Sequence, residues 1–314
     1  MRRAMRSVTA AVLVLGACRP GARVATAGLV PSDVVRVFVT TGDRAKLLSR
    51  EPDRSARLPL LRQATAINPQ LRLIASPWSA PGWMKTTDDL VGGSLRRDAF
   101  GPFAWYLLRI IQAYASEGIP LFAVTVQNEP AFEPKDYPGM LIDATARAEL
   151  IGRHVGPLFA AAGSSTRILE WDHNWDAPAQ PLAVLGDTIA RRFVSGVAWH
   201  CYAGDVRAQD LVHTAHRDKD VYVTECSGGA WAPVFADNLQ WLVRTLVIGA
   251  TRAGARGVAL WNLALDEHGG PHLGGCGNCR GHAEPAGRRR GDVRMAVTSL
   301  RRSTIPAPAD HLPT

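Results

Sequence analysis

The sequence predicts an α/β fold, a (β/α)8 barrel, from three observations. Short runs rich in β-branched residues alternate with longer amphipathic runs, which is the order of strands and helices in a parallel sheet with crossover helices. Polar and aromatic residues recur where the short runs end, and barrels build their ligand sites at that end of the strands. No glycine-rich phosphate loop follows any short run, which disfavours an open nucleotide-binding sheet.

The size and composition of the chain suit one domain of this kind. Its 314 residues are 46% hydrophobic and 20% charged, which allows a large core and excludes wholesale disorder. The net charge of +8 comes from the ends, because residues 1–23 and 280–314 hold 12 Arg against three acidic residues. Nucleic acid is therefore not an expected partner, since binding it needs positive charge on the folded face.

Residues 1–27 have the pattern of an export signal. Arg2, Arg3 and Arg6 precede an apolar run from Val8 to Ala17, as a charged segment precedes the apolar core of such signals. The run is too short to cross a bilayer as a helix, so no integral membrane span is predicted. Cleavage near residue 27 and lipoprotein anchoring at Cys18 both remain open. Either route predicts a protein that is secreted or held at the cell surface.

The barrel is predicted to occupy residues 28–280, followed by a basic disordered tail at 281–314. The predicted strands are Val34–Val39, Leu71–Ser76, Phe122–Gln127, Arg167–Trp171, Gly196–Tyr202, Val221–Cys226 and Gly257–Leu263. The predicted helices are Ala99–Glu117, Ala144–Ala162, Pro181–Phe193, Arg207–Arg217 and Val234–Ala253. Gly118 and Gly163 stand where two of these helices should stop.

Two of the strand ends carry carboxylates. Glu129 follows the third predicted strand and Glu225 lies near the end of the sixth, so the two should face each other across the barrel mouth. Glycoside hydrolysis needs such a pair, one acid to protonate the leaving oxygen and one base or nucleophile at the sugar carbon. The alternative is a pair of ordinary strand-end acids that bond to loop amides.

Five segments in order resemble glycoside hydrolase family 30, which includes glucosylceramidase. They are Ser76 to Lys85, Gln127-Asn128-Glu129-Pro130, His200-Cys201-Tyr202, Thr224-Glu225-Cys226 and Trp261 to Leu265. The resemblance runs from about Val34 to Arg280. The family's first barrel strand, last helix and C-terminal β-sandwich are not recognisable, so the resemblance implies a TIM barrel that is incomplete.

The resemblance also implies roles for individual residues. Glu129 corresponds to the acid/base and Glu225 to the nucleophile. The residues implied to bind substrate are Asp43, Trp83, Asn128, Asp172, His200, Tyr202 and Trp261, with Arg36 supporting the carboxylates. No cofactor and no metal is implied.

The predicted activity is that of a retaining β-glycosidase, resembling glucosylceramidase, which hydrolyses β-glucosidic bonds through a glycosyl-enzyme intermediate. The expected substrate is a β-glucoside or a glucosylceramide-like carbohydrate, and a fungal glucan is an equal possibility for an exported protein. Two alternatives remain open: a carbohydrate-binding barrel without catalysis, and an inactive truncated fragment.

The cysteines and remaining histidines leave further alternatives. Cys276 and Cys279, with His268 and His272 nearby, suit either a small disulfide or free thiols, or a zinc site. Cys201 and Cys226 do not have the histidine-paired setting of a nucleophile. The other histidines considered are expected to lie on the surface or in packing positions: His173, His213 and His216.

Overall fold

The computed structural model describes residues 34–38 as backbone, and 58–261, 265 and 276–280 with their side chains. These residues form seven parallel strands that pair in chain order. The strands are β1 Val34–Phe38, β2 Arg72–Ser76, β3 Ala123–Thr125, β4 Arg167–Asn174, β5 Val194–His200, β6 Asp220–Glu225 and β7 Ala255–Val258. All seven predicted strands are present, and the prediction of an incomplete (β/α)8 barrel is confirmed.

Helices connect successive strands and cover the outside of the sheet. The α-helices are α1 Leu58–Ile67, α2 Phe100–Ser116, α3 Ala144–Glu149, α4 Gly156–Ala161, α5 Ala179–Gly186, α6 Arg207–Ala215 and α7 Phe235–Leu242. A π-helical segment, Leu150–Val155, joins α3 to α4, and a second, Val243–Ala250, extends α7. Gly118 and Gly163 follow α2 and α4 with φ of 76° and 64°, so they end these helices as predicted.

Several predictions concern parts of the chain that lie outside the described residues. These are the export signal at 1–27 with Cys18, the basic tail at 281–314, the residues Asp43, His268 and His272, and the side chain of Arg36. Within the described part, none of the helices combines the length and apolar character that a membrane crossing requires.

The strands separate two apolar clusters. The larger one lies between the sheet and the helices, where Phe100, Phe103 and Tyr114 of α2 are completely buried. The smaller one takes one residue from each of β2 to β6: Ile74, Ala123, Leu169, Ala198 and Tyr222. Because side chains alternate between the faces of a strand, this smaller cluster marks the inner face of the barrel.

A polar layer follows the apolar inner cluster toward the strand ends. The residues two positions farther along four of these strands are Ser76, Thr125, His200 and Thr224, and all four are buried. In β4 the alternation breaks, since the pairing with β5 shifts between Trp171 and His173. Trp171 and Asp172 take positive φ values of 73° and 56°, so Trp171 joins the outer core and Asp172 joins the inner polar layer.

A buried ion pair fixes the outer side of β4. The Arg147 Nε donates to Glu170 Oε1 at 2.9 Å, and both side chains are at most 1% exposed. The same guanidinium donates to the carbonyl of Ile142 and to Gln180, and it lies 5.2 Å from the Trp171 ring centroid. Arg147 therefore supports the strand segment that leads into Asp172.

Removing one partner of this pair should strongly destabilise the barrel. Arg147→Met leaves Glu170 as an uncompensated buried charge, and we expect the free energy of unfolding to fall by about 3–5 kcal/mol. Arg96→Met is the matched control, because Arg96 pairs with Asp98 on the surface and its loss should cost less than about 1 kcal/mol. Urea denaturation of both variants measures the difference, and equal losses would contradict this account of β4.

Candidate active site

An open cleft of about 300 Å³ lies at the C-terminal ends of the strands. It is lined by Trp78, Asn128, Glu129, Phe132, Tyr137, His173, Asn174, Tyr202, Glu225, Trp231, Trp261, Cys276 and Cys279. Six of these side chains are aromatic and two are carboxylates. Aromatic faces with a few convergent polar groups are typical of a carbohydrate site.

The two carboxylates predicted from the strand ends meet in this cleft. Glu129 follows β3 and Glu225 ends β6, three strands away in the sheet. One carboxylate oxygen of each lies within 4.8 Å of the other and of a His200 ring nitrogen. The prediction that the fold brings these two residues to one site is therefore met.

The backbone turns sharply where Glu129 leaves its strand. Glu129 has a φ of 49°, in the left-handed region that residues other than glycine rarely adopt. Its N–H donates to the Asp172 carbonyl at 3.0 Å, while the Asn128 N–H donates to the Pro77 carbonyl at 2.8 Å. Neighbouring strand ends thus hold a strained turn that aims the Glu129 carboxylate into the cleft.

Beneath the cleft, Asp172 gathers hydroxyl groups from three other strands. Thr125 donates to its Oδ2 at 2.7 Å and Thr224 to its Oδ1 at 2.6 Å, while Ser76 also donates to Oδ2. The His200 Nε2 lies 3.1 Å from Asp172 Oδ1, and the Nδ1 of the same ring lies 3.0 Å from Glu129 Oε1. His200 therefore links the buried Asp172 to Glu129 in the cleft.

The two histidines beside Glu129 carry different charges at neutral pH. Complete burial opposes a charge on His200, but the carboxylates of Glu225, Asp172 and Glu129 outweigh it and raise the pKa of His200 to about 9. Burial lowers the pKa of His173 to about 4, although Glu129 acts in the opposite direction. His200 is thus an imidazolium that can donate from both nitrogens, whereas His173 is neutral.

Two tyrosines face the carboxylates. The Tyr202 hydroxyl donates to Glu225 Oε1 at 3.0 Å, and the Tyr202 backbone N–H is held by Asn174 Oδ1 at 3.0 Å. Burial, followed by the charges of Glu129 and Glu225, raises the pKa of Tyr137 well above its usual value. The Tyr137 phenol therefore remains a hydrogen-bond donor in the cleft.

The aromatic wall of the cleft rests on two loops. Trp78 stacks on Trp261 with ring centroids 5.4 Å apart, and Tyr137 lies 5.4 Å from Trp78. Lys85 joins the loops that carry Trp78 and Tyr137, because its Nζ donates to Ser79 Oγ, the Leu90 carbonyl and the Gly139 carbonyl at 2.7–2.9 Å. Burial lowers the pKa of this ammonium to about 8.

The predicted substrate-binding residues occupy two levels. Asn128, Tyr202 and Trp261 line the cleft, as do the two carboxylates. Asp172 and His200 are completely buried beneath it, so they position other groups. Trp83 was predicted to line the cleft, but it lies in a short 3₁₀ turn and packs against the core. Trp78 lines the cleft instead.

Other residues of the cleft were not predicted to be there. His173 was expected on the surface or in packing, but it lines the cleft with its Nε2 3.9 Å from Glu129 Oε1. Its position at the end of β4 was the available signal. Phe132, Tyr137 and Trp231 stand in loops where no strand or helix period points to them.

All four cysteines in the described part of the chain are in disulfides. Cys276 joins Cys279, and this small loop forms part of the cleft wall. Cys201 joins Cys226, a pairing that was not predicted. The 25-residue separation of this second pair corresponds to roughly 3.5 kcal/mol of stability in the chain-entropy model.

Glu129, His200 and Glu225 are close enough together to surround a metal ion. However, both ring nitrogens of His200 already face carboxylates, and a protonated imidazole has no lone pair for a metal. The cluster therefore fits a hydrogen-bonded network better than a metal site.

Residues 44–274 match the family model of the glycosyl hydrolase family 30 TIM-barrel domain. The endo-1,6-beta-D-glucanase BGN16.3 of Trichoderma harzianum is 37% identical over 246 residues, which are 72% of this chain and 48% of that protein. The lysosomal acid glucosylceramidase of Mus musculus is 29% identical over 246 residues, 71% of this chain and 47% of that protein.

A solved structure, the endo-beta1,6-glucanase BT3312, is similar with a TM-score of 0.77 and 28% identity, covering 81% of this chain and 62% of that one. This chain spans about half the length of the two sequence relatives. The family match covers most of the barrel and includes both carboxylates. The chain therefore belongs to glycoside hydrolase family 30.

Proposed function

We propose that this protein is a retaining β-glycosidase that hydrolyses β-1,6-linked glucan. The observation that carries the proposal is the pair of carboxylates, Glu129 and Glu225, with oxygens within 4.8 Å of each other in an aromatic cleft. Retaining enzymes hold their carboxyl groups about 5–5.5 Å apart, whereas inverting enzymes need about 6.5–9.5 Å to admit a water. The short separation favours the double displacement.

In the first step Glu225 attacks the anomeric carbon while Glu129 gives a proton to the departing oxygen. The Tyr202 hydroxyl donates to Glu225 Oε1, which orients that carboxylate for the attack. The His200 imidazolium stands 3.0 Å from Glu129 Oε1, where it stabilises the carboxylate left after proton transfer. In the second step Glu129 takes a proton from water while the water oxygen attacks the anomeric carbon and breaks its bond to Glu225.

The substrate class is supported by the relatives and by the shape of the cleft. The relative named as an endo-1,6-beta-D-glucanase is 37% identical, against 29% for the lysosomal acid glucosylceramidase. Phe132 and Trp231 on the cleft rim are 46% and 51% exposed, so their rings are free to pack on further sugar units of a polymer. Glucosylceramide is the second candidate, because the same wall could receive an apolar aglycone.

Replacing each carboxylate should separate the two roles. With an aryl β-glucoside and azide, we expect Glu129→Ala to form the β-glucosyl azide and Glu225→Ala to form the α-glucosyl azide, because azide occupies the space of the missing carboxylate. Without azide, Glu129→Gln should lose about 10²–10⁴-fold in kcat/KM on a substrate with a poor leaving group. NMR of the azide products assigns the roles, and the opposite anomers would reverse them.

Substrate preference distinguishes a β-1,6-glucanase from a glucosylceramidase, and product formation distinguishes an enzyme from a binding barrel or an inactive fragment. We expect internal cleavage of linear β-1,6-glucan into oligosaccharides, with the β-anomer released first, and weaker hydrolysis of glucosylceramide in detergent micelles and of an aryl β-xyloside. Product chromatography and early NMR spectra measure both. Glycan affinity without products would indicate a binding barrel, and a folded chain without affinity or products would indicate an inactive fragment.

The charge of His200 predicts how stability depends on pH. Its folded pKa of about 9 lies above the ordinary value of 6.5, so its stabilising charge is complete below pH 6.5 and is lost as the pH rises through 9. The difference in unfolding free energy between the wild type and His200→Asn should therefore shrink between pH 6.5 and 9.5. Chemical denaturation across this range measures it, and a constant difference would contradict the assigned charge.

If His200→Asn folds poorly, the charge of His200 can be measured directly in the wild type. NMR titration should give His200 a pKa about 9, and Glu129→Gln should lower it by removing one of the carboxylates that raise it. Glu117→Gln is the control, because Glu117 pairs with Arg62 outside the cleft. An equal shift in both variants would refute a specific link to Glu129.

A further inference from the structure

The Cys201–Cys226 disulfide joins the residues that directly follow β5 and β6. The two Cα atoms are 5.2 Å apart, and the side chains are 8% and 0% exposed. The chain between them runs through α6, so the bond closes the crossover from one strand to the next. It is thus a buried cross-link at the level of the cleft floor.

Each of these cysteines follows a residue of the site. Cys201 lies between His200, which contacts Glu129 and Asp172, and Tyr202, which donates to Glu225. Cys226 directly follows Glu225. The cross-link therefore joins the segment of Tyr202, which donates to Glu225, to the segment that contains Glu225 itself.

The strand pairing is irregular at this same place. Trp199 pairs with Val223, but His200 pairs with Glu225, so Thr224 is an extra residue on β6. Such a bulge leaves one residue unpaired and interrupts the ladder of hydrogen bonds locally. The disulfide therefore adds a covalent constraint on the residue after Glu225, at the point where the strand pairing is irregular.

We propose that the Cys201–Cys226 disulfide is a positioning element that holds Glu225 opposite Glu129, so that the glycosidase works at full rate only in its oxidised form. The proposal rests on the proposed function for its kinetic part. A dithiol reductant such as dithiothreitol would give two electrons and two protons to the bond, yielding two thiols and the cyclic disulfide of the reductant. The loosened β6 end would then lower kcat, and it would also affect KM, because the backbone N–H of Trp261 in the aromatic wall donates to the Cys226 carbonyl at 2.7 Å.

The chain contains a matched control for this test. The Cys276–Cys279 disulfide also borders the cleft but joins residues of one short loop, and neither cysteine adjoins a carboxylate of the site. Comparing Cys201→Ser/Cys226→Ser with Cys276→Ser/Cys279→Ser separates loss of this particular cross-link from loss of any disulfide near the cleft. Thermal melts set an assay temperature at which both double variants remain folded.

The kinetic test uses the full oxidised chain and an aryl β-glucoside. We expect kcat, and the rate at which a mechanism-based glucosyl inhibitor labels Glu225, to fall at least about tenfold in Cys201→Ser/Cys226→Ser, since a displacement near 1 Å can cost about 10²-fold. Dithiothreitol should slow the Cys276→Ser/Cys279→Ser variant by the same factor as the wild type, because that variant keeps the Cys201–Cys226 bond. A folded Cys201→Ser/Cys226→Ser variant with wild-type kcat would overturn the proposal.

A second readout does not depend on turnover. The Glu225 charge is the largest contribution that raises the pKa of His200, so a displaced Glu225 should lower that pKa. NMR titration should show this decrease in Cys201→Ser/Cys226→Ser and not in the control variant. If the wild type proves inactive, the proposed function fails while this shift still supports the positioning role; an unchanged pKa of His200 would overturn that role as well.

Discussion

The buried carboxylate of Asp172 is the constraint on which the geometry of the site depends. A fully buried charge costs several kcal/mol unless it is paired and hydrogen-bonded. Its partners come from four other strands: Ser76, Thr125, His200 and Thr224. Satisfying this one group therefore fixes the ends of β2, β3, β5 and β6 relative to β4. Glu129 follows β3 and Glu225 ends β6, so this network sets the positions of the strands from which both carboxylates enter the cleft.

The site arises where regular strand geometry is broken. Simple alternation in β4 would place the Trp171 side chain on the inner face of the barrel. Positive φ values at Trp171 and Asp172 instead place Trp171 in the outer core and Asp172 on the inner face. The turn at Glu129 uses a third positive φ, and a register shift precedes Glu225 in its pairing with β5. Each irregularity redirects a polar group toward the cleft and costs roughly 1–3 kcal/mol where the backbone is strained. The buried polar layer and the Arg147–Glu170 pair supply the contacts that hold these conformations.

The same irregularities decide what the sequence could predict. The strands and the meeting of Glu129 with Glu225 follow from β-branched runs and from strand order, which are local and topological signals. Helix α1 was missed because it buries only Leu58 and Leu61, too few positions to reveal a period. The burial of Asp172, the Cys201–Cys226 bond and the exchange of Trp83 for Trp78 depend on bulges and a 3₁₀ turn. Such departures from alternation move a side chain to the other face of its strand, and no residue pattern predicts them.

The charges around Glu129 suit a group that must lose and regain a proton. In the proposed mechanism Glu129 becomes a carboxylate in the first step, and the His200 imidazolium already donates toward it from a fixed position. Asp172 keeps that imidazolium charged and oriented through the opposite nitrogen. Burial lowers the pKa of His173, 3.9 Å from Glu129, to about 4, so His200 is the charged histidine beside Glu129. The charged histidine thus stabilises the carboxylate that forms when Glu129 gives up its proton.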